Sequence, residues 1–331
     1  MGSATIYDVA EHAGVSIATV SRMLNSPHKV NKATRSRVLA AIDALGFVPK
    51  AEATARARKS AGRIGVLAPF FTYPSFVQRL RGVSEIVAGS SYELVIYNVD
   101  TVARREAYLA SLPIARRLDG LIIMALPFGA EAASRLVSHG LQVVLIECAN
   151  PLFSSVEIDD REGGRIAGEY LVDRGYRRIG FVGDSQVPEY AIPTSERRLE
   201  GLRDALRVRS IDIPERYVTR APHGMEPARL QTLQLLNLPD PPEAIFAPSD
   251  TQAMGVLKAA RQRQLRVPED LAVIGFDDID AADYIGLTTV HQSLDESGRV
   301  AVELLMTCLT DRTRGMRRIQ LPLTLVRRET A

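Results

Sequence analysis

The sequence has little of what marks several classes of protein. Two cysteines occur, Cys148 and Cys308, without CxxC spacing, so neither a disulfide framework nor a thiolate metal site is indicated. The five histidines lie far apart without the spacing of metal ligands. The longest apolar run, Leu121 to Phe128, is far shorter than the roughly 20 residues that a membrane helix needs. We therefore expect no metal, no other cofactor and no membrane partner.

Motifs of catalysis and export are missing as well. The chain contains no GxSxG, no HExxH, no P-loop and no GxGxxG after a strand. Its start lacks the basic and then apolar pattern of a signal peptide. We therefore expect a cytoplasmic protein that is not an enzyme. With 331 residues and 46% hydrophobic composition, it is long enough for two or three domains.

The first 46 residues predict three short helices around one small core. Thr5 and Asp8 have the spacing of a capping box, and apolar residues follow at helical spacing. Gly14 ends this helix, and Ser16 caps a second one. A third helix spans about 31–46, with aliphatic residues turned inward. Two helices joined by a glycine turn are typical of the helix-turn-helix.

The outward face of the second helix favours DNA reading. Ile17, Ala18, Ser21 and Arg22 point away from the first helix, and they are not the Glu/Lys mixture of a solvated face. The alternative is an ordinary three-helix bundle. Charge argues against it, because residues 1–60 carry a formal +5 whereas the rest of the chain carries −3.

Beyond residue 60, short aliphatic runs alternate with amphipathic helical stretches. Runs that are apolar on both faces suit parallel strands covered by helices. RIGVL from Arg63 is echoed by RIGFV from Arg178, which suggests two similar lobes with a cleft between them. The predicted strands are RIGVLAP from Arg63, YELVIYN from Tyr92, GLIIM from Gly120, QVVLIE from Gln142, RIGFVGD from Arg178, AIFAPSD from Ala244 and LAVIGFDD from Leu271.

The segment between head and body is rich in Ala, Lys and Arg. It is either a flexible linker or a short helix that forms only on DNA or against a partner protomer, since about ten isolated residues do not hold a helix in water.

A ligand site is expected beyond the carboxyl ends of the parallel strands. Carboxylates and an arginine beside aromatic rings suit a polyhydroxylated ring, whose hydroxyls need donors and acceptors. The alternatives are that Asp250 caps a helix starting at Thr251, and that Phe71 and Tyr73 are core or dimer residues. The candidates that follow strands are Phe70, Phe71, Tyr73, Phe76, Glu147, Asp250 and Asp277, joined by Arg198.

Several motifs together resemble the LacI/GalR family of bacterial transcription regulators, across essentially the whole chain. They are TIYDVAEHAGVSIATVSRMLN, LGFVP, IGVL, DGLIIM, IDDREGG, RRLEG, SDTQAMG and VIGFDD, in that order. The resemblance implies a helix-turn-helix head (1–48), a hinge (49–62) and a core similar to periplasmic sugar-binding proteins (63–331). Its lobes would be 63–160 with 291–320, and 161–290 with 321–331.

The resemblance also implies residue roles. Ile17, Ala18 and Arg22 would read base edges, and Arg22 can donate a bidentate pair to guanine. Asp277 and Arg198 resemble the main effector contacts, and Asp159, in IDDREGG, joins the effector set. The implied phosphate contacts are Thr5, Ser16, Thr19, Ser21, Asn25, Asn31 and Thr34.

Two positions depart from the family. Arg56 stands where most members have a leucine that wedges between base pairs, and Met225 stands where several have an aromatic that stacks on the ligand. Arginine suits a narrow minor groove, so we hypothesise that Arg56 and Arg58 of the two protomers enter or flank the groove at the operator centre and bend DNA less than a leucine hinge would. The simpler hypothesis is a disordered hinge with loose phosphate contacts.

The sequence therefore predicts a repressor that binds a pseudo-palindromic operator as a homodimer and is controlled by a sugar or sugar derivative. One alternative is a regulator that responds to a nucleoside or purine-type ligand. A more distant one is a periplasmic-type solute-binding protein without DNA function. Whether the effector releases the operator or promotes its binding stays open. No leucine heptad follows Arg327, so nothing beyond a dimer is expected.

Overall fold

The computed structural model describes residues 4–47, 62–185, 188–311, 313 and 315–331. The hypothesis on Arg56 falls in 48–61 and so lies outside the described residues, as do the side chains of Asn25 and His28. The described residues form a helical head followed by two α/β lobes.

The head has the predicted three helices, with a 3₁₀ turn, Pro27–Lys29, before the third. The capping box is confirmed: the Thr5 hydroxyl accepts from the Asp8 amide, and the Asp8 carboxylate accepts from the Thr5 amide at 2.7 Å. Gly14 ends the first helix in the left-handed region, with φ 61°. The helices are α1 (Ile6–Ala13), α2 (Ile17–Asn25) and α3 (Lys32–Leu45).

A small apolar core fixes the angle between these helices. Val9 of α1, Val20 and Met23 of α2, and Val38 of α3 have no exposed surface, and Ile42 has almost none. With Val20 and Met23 turned inward, the opposite face of α2 is left to solvent.

The first lobe is a parallel six-stranded sheet with helices on both faces, in the strand order β11-β5-β4-β3-β1-β2. Its strands are β1 (Gly62–Pro69), β2 (Tyr92–Val99), β3 (Gly120–Met124), β4 (Gln142–Ile146), β5 (Ser154–Glu157) and β11 (Arg318–Gln320). Its helices are α4 (Pro74–Ala88), α5 (Val102–Ala115), α6 (Ala130–Ser138) and α12 (Leu294–Thr310).

The second lobe repeats this plan in the order β12-β10-β9-β8-β6-β7, parallel except for β12. Its strands are β6 (Ile179–Asp184), β7 (Val218–Ala221), β8 (Ala244–Phe246), β9 (Ala272–Asp277), β10 (Thr288–His291) and β12 (Thr324–Val326). Its helices are α7 (Asp160–Asp173), α8 (Thr194–Val208), α9 (Met225–Leu236), α10 (Asp250–Gln262) and α11 (Asp280–Tyr284), with a 3₁₀ turn at Glu215–Tyr217.

The chain passes between the lobes three times: from β5 to α7, from β10 to α12, and from β11 to β12. The predicted fold class, an N-terminal helical head followed by two parallel-sheet lobes, is confirmed. All seven strands predicted from aliphatic runs are present.

Glycines bring two helix pairs into backbone contact. A Cβ on Gly82 of α4 would lie 1.9 Å from the Asp295 carbonyl oxygen of α12. A Cβ on Gly164 of α7 would lie 1.9 Å from the Arg198 carbonyl oxygen of α8. These approaches fix Arg198 against its lobe and hold α4 rigidly on α12.

Candidate DNA-reading head and effector cleft

The outward face of α2 offers a small surface to a groove. Ile17 is 41% exposed, and Ala18 and Arg22 are exposed beside it. Arg22 is the one member of this face that can donate a bidentate pair to a base edge. The three predicted base readers therefore lie together on the solvent side of the head.

Three of the predicted phosphate contacts are helix caps. Thr5, Ser16 and Asn31 are the N-caps of α1, α2 and α3, and each accepts from a backbone amide three residues on. Thr19 hydrogen-bonds Ser16 at 2.9 Å. Helix N-termini suit phosphate, because their amides point outward and their dipoles favour negative charge.

The head packs against α5 and α6 of the first lobe. Ile114 of α5 is 2% exposed and belongs to the apolar cluster of the head. Glu106 lies 4.0 Å from the Arg35 guanidinium, and Asp43 lies 3.0 Å from the Arg135 guanidinium. The face of α2 that carries Arg22 remains exposed in this arrangement.

The carboxyl ends of the strands meet at the cleft, and their backbone is unusual there. Non-glycine residues with positive φ cost energy and cluster at functional sites. Those that end or follow a strand here are Phe70 (φ 49°), Ala125 (49°), Glu147 (59°), Asp277 (119°) and Asp278 (59°).

Arg198 is the charged centre of the cleft floor and is 5% exposed. Its Nε donates to Asp160 Oδ1 at 2.8 Å, a second nitrogen donates to the Pro248 carbonyl, and Asp277 Oδ1 lies 3.7 Å away. Its guanidinium carbon sits 3.5 Å from the centroid of the Phe276 ring. A buried guanidinium needs this set of partners, since desolvation alone would disfavour its charge.

A chain of hydrogen bonds continues from Asp277 into the first lobe. Gln292 donates to Asp277, and its amide oxygen accepts from Arg79 at 2.8 Å. Arg79 also donates to Glu147 at the end of β4. Because Arg79 and Glu147 belong to one lobe and Asp277 to the other, the network spans both lobes.

Burial sets the protonation of these groups. Desolvation raises the pKa of Asp277 from 3.8 to about 6, with Arg198 and Arg79 acting in the opposite direction. Desolvation likewise raises the pKa of Glu147, against the charge of Arg79. Desolvation disfavours the charged form of Arg198 and acts to lower its pKa. The negative charges of Asp160 and Asp277 outweigh this effect, so the pKa of Arg198 is raised.

An aromatic layer lies above this floor and joins the lobes. Tyr73 of the first lobe stacks on Phe70 with ring centroids 5.1 Å apart, and on His223 of the second lobe at 4.8 Å. His223 Nδ1 lies 3.3 Å from Asp184 Oδ1, which also accepts from Gln252 at 3.1 Å. The cleft thus combines polar donors and acceptors with flat ring faces.

Several members of the predicted effector set have other contacts. Asp250 has no exposed surface, and its oxygens accept from the Ile279 amide at 2.9 Å and from Thr289 at 2.6 Å. The alternative that Asp250 caps its helix is wrong, because the cap is Ser249. Asp159 caps α7.

The remaining candidates differ in burial. Phe76 is 8% exposed in the core of the first lobe, and Phe71 packs against the same core. Met225 begins α9 and is 54% exposed, so its side chain is open to solvent. We therefore keep Tyr73, Glu147 and Met225, with Arg198 and Asp277, as the candidate effector contacts.

Four cleft residues were not predicted from the sequence: Arg79, Asp160, His223 and Gln292. Asp160 adjoins Asp159 in IDDREGG, and only the structure shows that it is the second carboxylate that faces Arg198. Arg79 and Gln292 lie inside or beside regular elements, where no motif distinguishes them. Within the described ranges, no group of three or more His, Cys, Asp or Glu could hold a metal ion, and no helix is long and apolar enough to cross a membrane.

Comparison with known proteins agrees with this geometry. Residues 5–50 match the model for bacterial regulatory proteins of the lacI family, and residues 168–331 match a periplasmic binding protein-like domain. The PurR repressor of Photobacterium profundum is 31% identical over 99% of this chain and 98% of its own length. The ribose operon repressor of Escherichia coli is 32% identical over 99% and 100%.

Two solved structures extend the likeness to the whole fold. The transcriptional regulator CelR in complex with cellobiose has a TM-score of 0.70 and 27% identity, covering 99% of this chain and 100% of that one. The lac repressor dimer, bound to operator and an anti-inducer, has a TM-score of 0.70 and 27% identity, covering 99% of each chain.

A helix-turn-helix head on a two-lobed ligand-binding core defines a DNA-binding transcription regulator. The chain belongs to the LacI family, and its relatives are transcriptional repressors.

The raised pKa of Asp277 predicts a pH-dependent stability. The folded chain keeps a proton that the unfolded chain loses between pH 3.8 and about 6, so this carboxyl lowers the free energy of unfolding as pH rises through that window. Urea unfolding of wild type and Asp277→Asn should show the wild type losing stability relative to the variant over this range. If the free energies of unfolding of the two proteins change with pH in parallel, Asp277 titrates normally.

Proposed function

We propose that the chain is a homodimeric repressor whose affinity for a pseudo-palindromic operator is controlled by a carbohydrate bound between the lobes. The observation that carries the proposal is the hydrogen-bonded chain from Glu147 to Asp277, which lies 3.7 Å from Arg198, because this chain joins both lobes at the cleft beside an aromatic layer. The proposed role is regulatory and not enzymatic, and a protein with this role would act in the cytoplasm, where its operator lies.

A sugar suits the cleft chemically. Asp277 and Glu147 offer acceptors, Arg198 and Arg79 offer donors, and the aromatic layer of Phe70, Tyr73 and His223 offers apolar surface for the C–H side of a pyranose or furanose. CelR binds cellobiose, and the name of the E. coli relative refers to a ribose operon, which agrees with this class. The stacked rings of Tyr73 and His223 also suit a planar base, so nucleosides are the second candidate class.

Control follows if sugar binding changes how the lobes meet. A ligand that bonds to both ends of the network stabilises one arrangement of the lobes over another. The head packs on α5 and α6 of the first lobe, so a shift of that lobe also shifts the head. In a dimer the spacing between two heads then determines whether both fit the operator.

An apolar patch on the second lobe supports dimer formation. Tyr284 is 89% exposed and Ile285 39%, and they border a pocket of about 670 Å³ that is lined by Met254 and Leu257 together with the charged Lys258, Arg261 and Glu329. Aromatic and aliphatic side chains bordered by charged ones are typical of a protein–protein interface. We assign this patch to a second copy of the chain, by analogy with the dimer of the lac repressor.

The first prediction here concerns base reading. An operator is selected from random duplexes with the wild-type chain, and binding is then measured for Arg22→Ala. The variant should lose about 1–3 kcal/mol per half-site and relax preference at one symmetric base pair. Arg37→Ala, an exposed arginine of α3, should weaken all sequences alike. If Arg22→Ala also weakens all sequences alike, Arg22 is only a phosphate contact.

The second prediction concerns the effector. A thermal-shift panel of ribose, cellobiose and adenosine should yield a sugar hit, since a ligand at about 100 times its Kd adds roughly 2.7 kcal/mol. Asp277→Asn and Arg198→Lys should abolish the effect of that sugar on operator affinity, while Arg203→Lys on the exposed side of α8 should keep it. A normal response in both cleft variants, or a shift with adenosine alone, contradicts the carbohydrate assignment.

The third prediction concerns the dimer. Tyr284→Asp places a charge in the patch and should convert the dimer to a monomer in analytical ultracentrifugation, with loss of full-operator affinity. Val208→Asp, at an apolar position that is 81% exposed on α8, should remain dimeric. A dimeric Tyr284→Asp chain shows that the interface lies elsewhere.

A further inference from the structure

A second contact between the lobes lies outside the cleft and is centred on Arg81 of α4. Its guanidinium bridges two carboxylates: Nε donates to Asp295 Oδ1 at 2.6 Å, and NH1 donates to Asp280 Oδ2 at 2.6 Å. NH2 completes both pairs, at 2.7 Å to Asp295 and 3.1 Å to Asp280. Asp295 belongs to the first lobe and Asp280 to the second, so the arginine links them.

The first-lobe side of this contact is held rigidly. Gly82, next to Arg81, brings α4 against the α12 backbone at Asp295, and a Cβ on Gly298 would lie 2.2 Å from the Arg79 carbonyl oxygen. With the two helices in backbone contact, Asp295 holds the Arg81 fork in one orientation. A planar guanidinium fixed in this way loses little entropy when it binds a second carboxylate.

The second-lobe side is the start of α11. Asp280 is its first residue, and its backbone amide donates to the Gln78 side chain of α4 at 2.9 Å. Gln78 and Arg81 lie one helical turn apart, so one face of α4 makes both bonds. Arg79, between them, points instead into the buried network.

We propose that Arg81 is a positioning residue that holds the lobes closed from outside the effector site, with Asp280 as its partner across the lobes. It contacts none of the candidate effector residues. The proposal rests on the lobe movement proposed above, and it assigns to α4 the role of sensing closure at two points, through Arg79 inside and Arg81 outside.

The exposure of the contact between Arg81 and Asp280 limits its strength, as suits a contact that adjusts the balance between open and closed lobes. In the single chain the Arg81 and Asp280 side chains are 51% and 64% exposed, and exposed pairs of this kind change an equilibrium by a factor of about five or less. A contact of that strength shifts the balance between open and closed lobes without locking either.

The chain provides a matched control. Arg299 of α12 also binds two carboxylates, Glu85 at 2.9 Å and Glu296 at 2.9 Å, and all three residues belong to the first lobe. Arg299→Ala therefore loses an exposed arginine with two carboxylate partners but no bond between lobes.

The test is hydrogen exchange of the full-length unliganded chain in segments 70–73 and 221–225, which meet at the stack of Tyr73 on His223. Arg81→Ala and Asp280→Asn should each raise exchange there by up to about five-fold and shift operator affinity in the same direction, while Arg299→Ala changes neither. The urea midpoint of unfolding should differ from that of the wild type by a similar small amount in all three variants. A change in exchange at the cleft then reflects lobe opening and not general destabilisation.

Exchange in Arg81→Ala equal to that in Arg299→Ala overturns the proposal, as does an Asp280→Asn variant that behaves like wild type. Because no effector is added, the outcome does not depend on whether a sugar is the ligand. A failure of the sugar screen and a failure of the Arg81–Asp280 proposal are thus distinguishable.

Discussion

The charge of Arg198 is the constraint around which the two lobes are organised. Removing a guanidinium from water costs several kcal/mol unless carboxylates and carbonyls replace the lost hydration. Asp160 and the Pro248 carbonyl do so within its own lobe, and Asp277 leads through Gln292 to Arg79 of the other lobe. The relative position of the lobes is therefore part of how a buried charge is satisfied, and a ligand that enters must take over some of these bonds.

This arrangement explains how a change in the cleft can alter the affinity for operator DNA. The first lobe carries Glu147 at the end of β4 and Arg79 on α4, and on α5 and α6 it carries the surface that holds the head. A change at the strand ends moves that surface with the sheet, because the lobe is close-packed and rigid. The predicted base readers on α2 remain exposed, so under the proposed function control would act through the placement of the head.

Features that depend on residues close together in the chain could be predicted from the sequence, whereas features that depend on distant residues mostly could not. Local chemistry predicted the head, since the Thr5 box, the Gly14 turn and the Ser16 cap involve neighbours in the chain. Aliphatic runs predicted the central strands, but β5, β7 and β10 to β12 have three or four residues each and carry no comparable run.

The cleft was predictable only in part. Asp277 ends a strand, Glu147 follows one, and both were found, whereas Asp160, Arg79 and Gln292 acquire their roles from partners 15 to 213 residues away. Asp250 follows a strand too, yet it bonds within its own lobe, because strand position alone does not show which way a side chain points.

The central claim is that the cleft and the head are coupled, and coupling between two sites is reciprocal. Operator binding by the heads must then alter the cleft even with no effector present. The most direct measurement is hydrogen exchange of the full-length chain, with and without a selected operator duplex, in the cleft segments around Tyr73, His223 and Asp277. The account predicts that operator changes protection in these segments as well as in the head, and that a scrambled duplex does not. Protection that changes in the head alone, with the cleft unaffected, would contradict it.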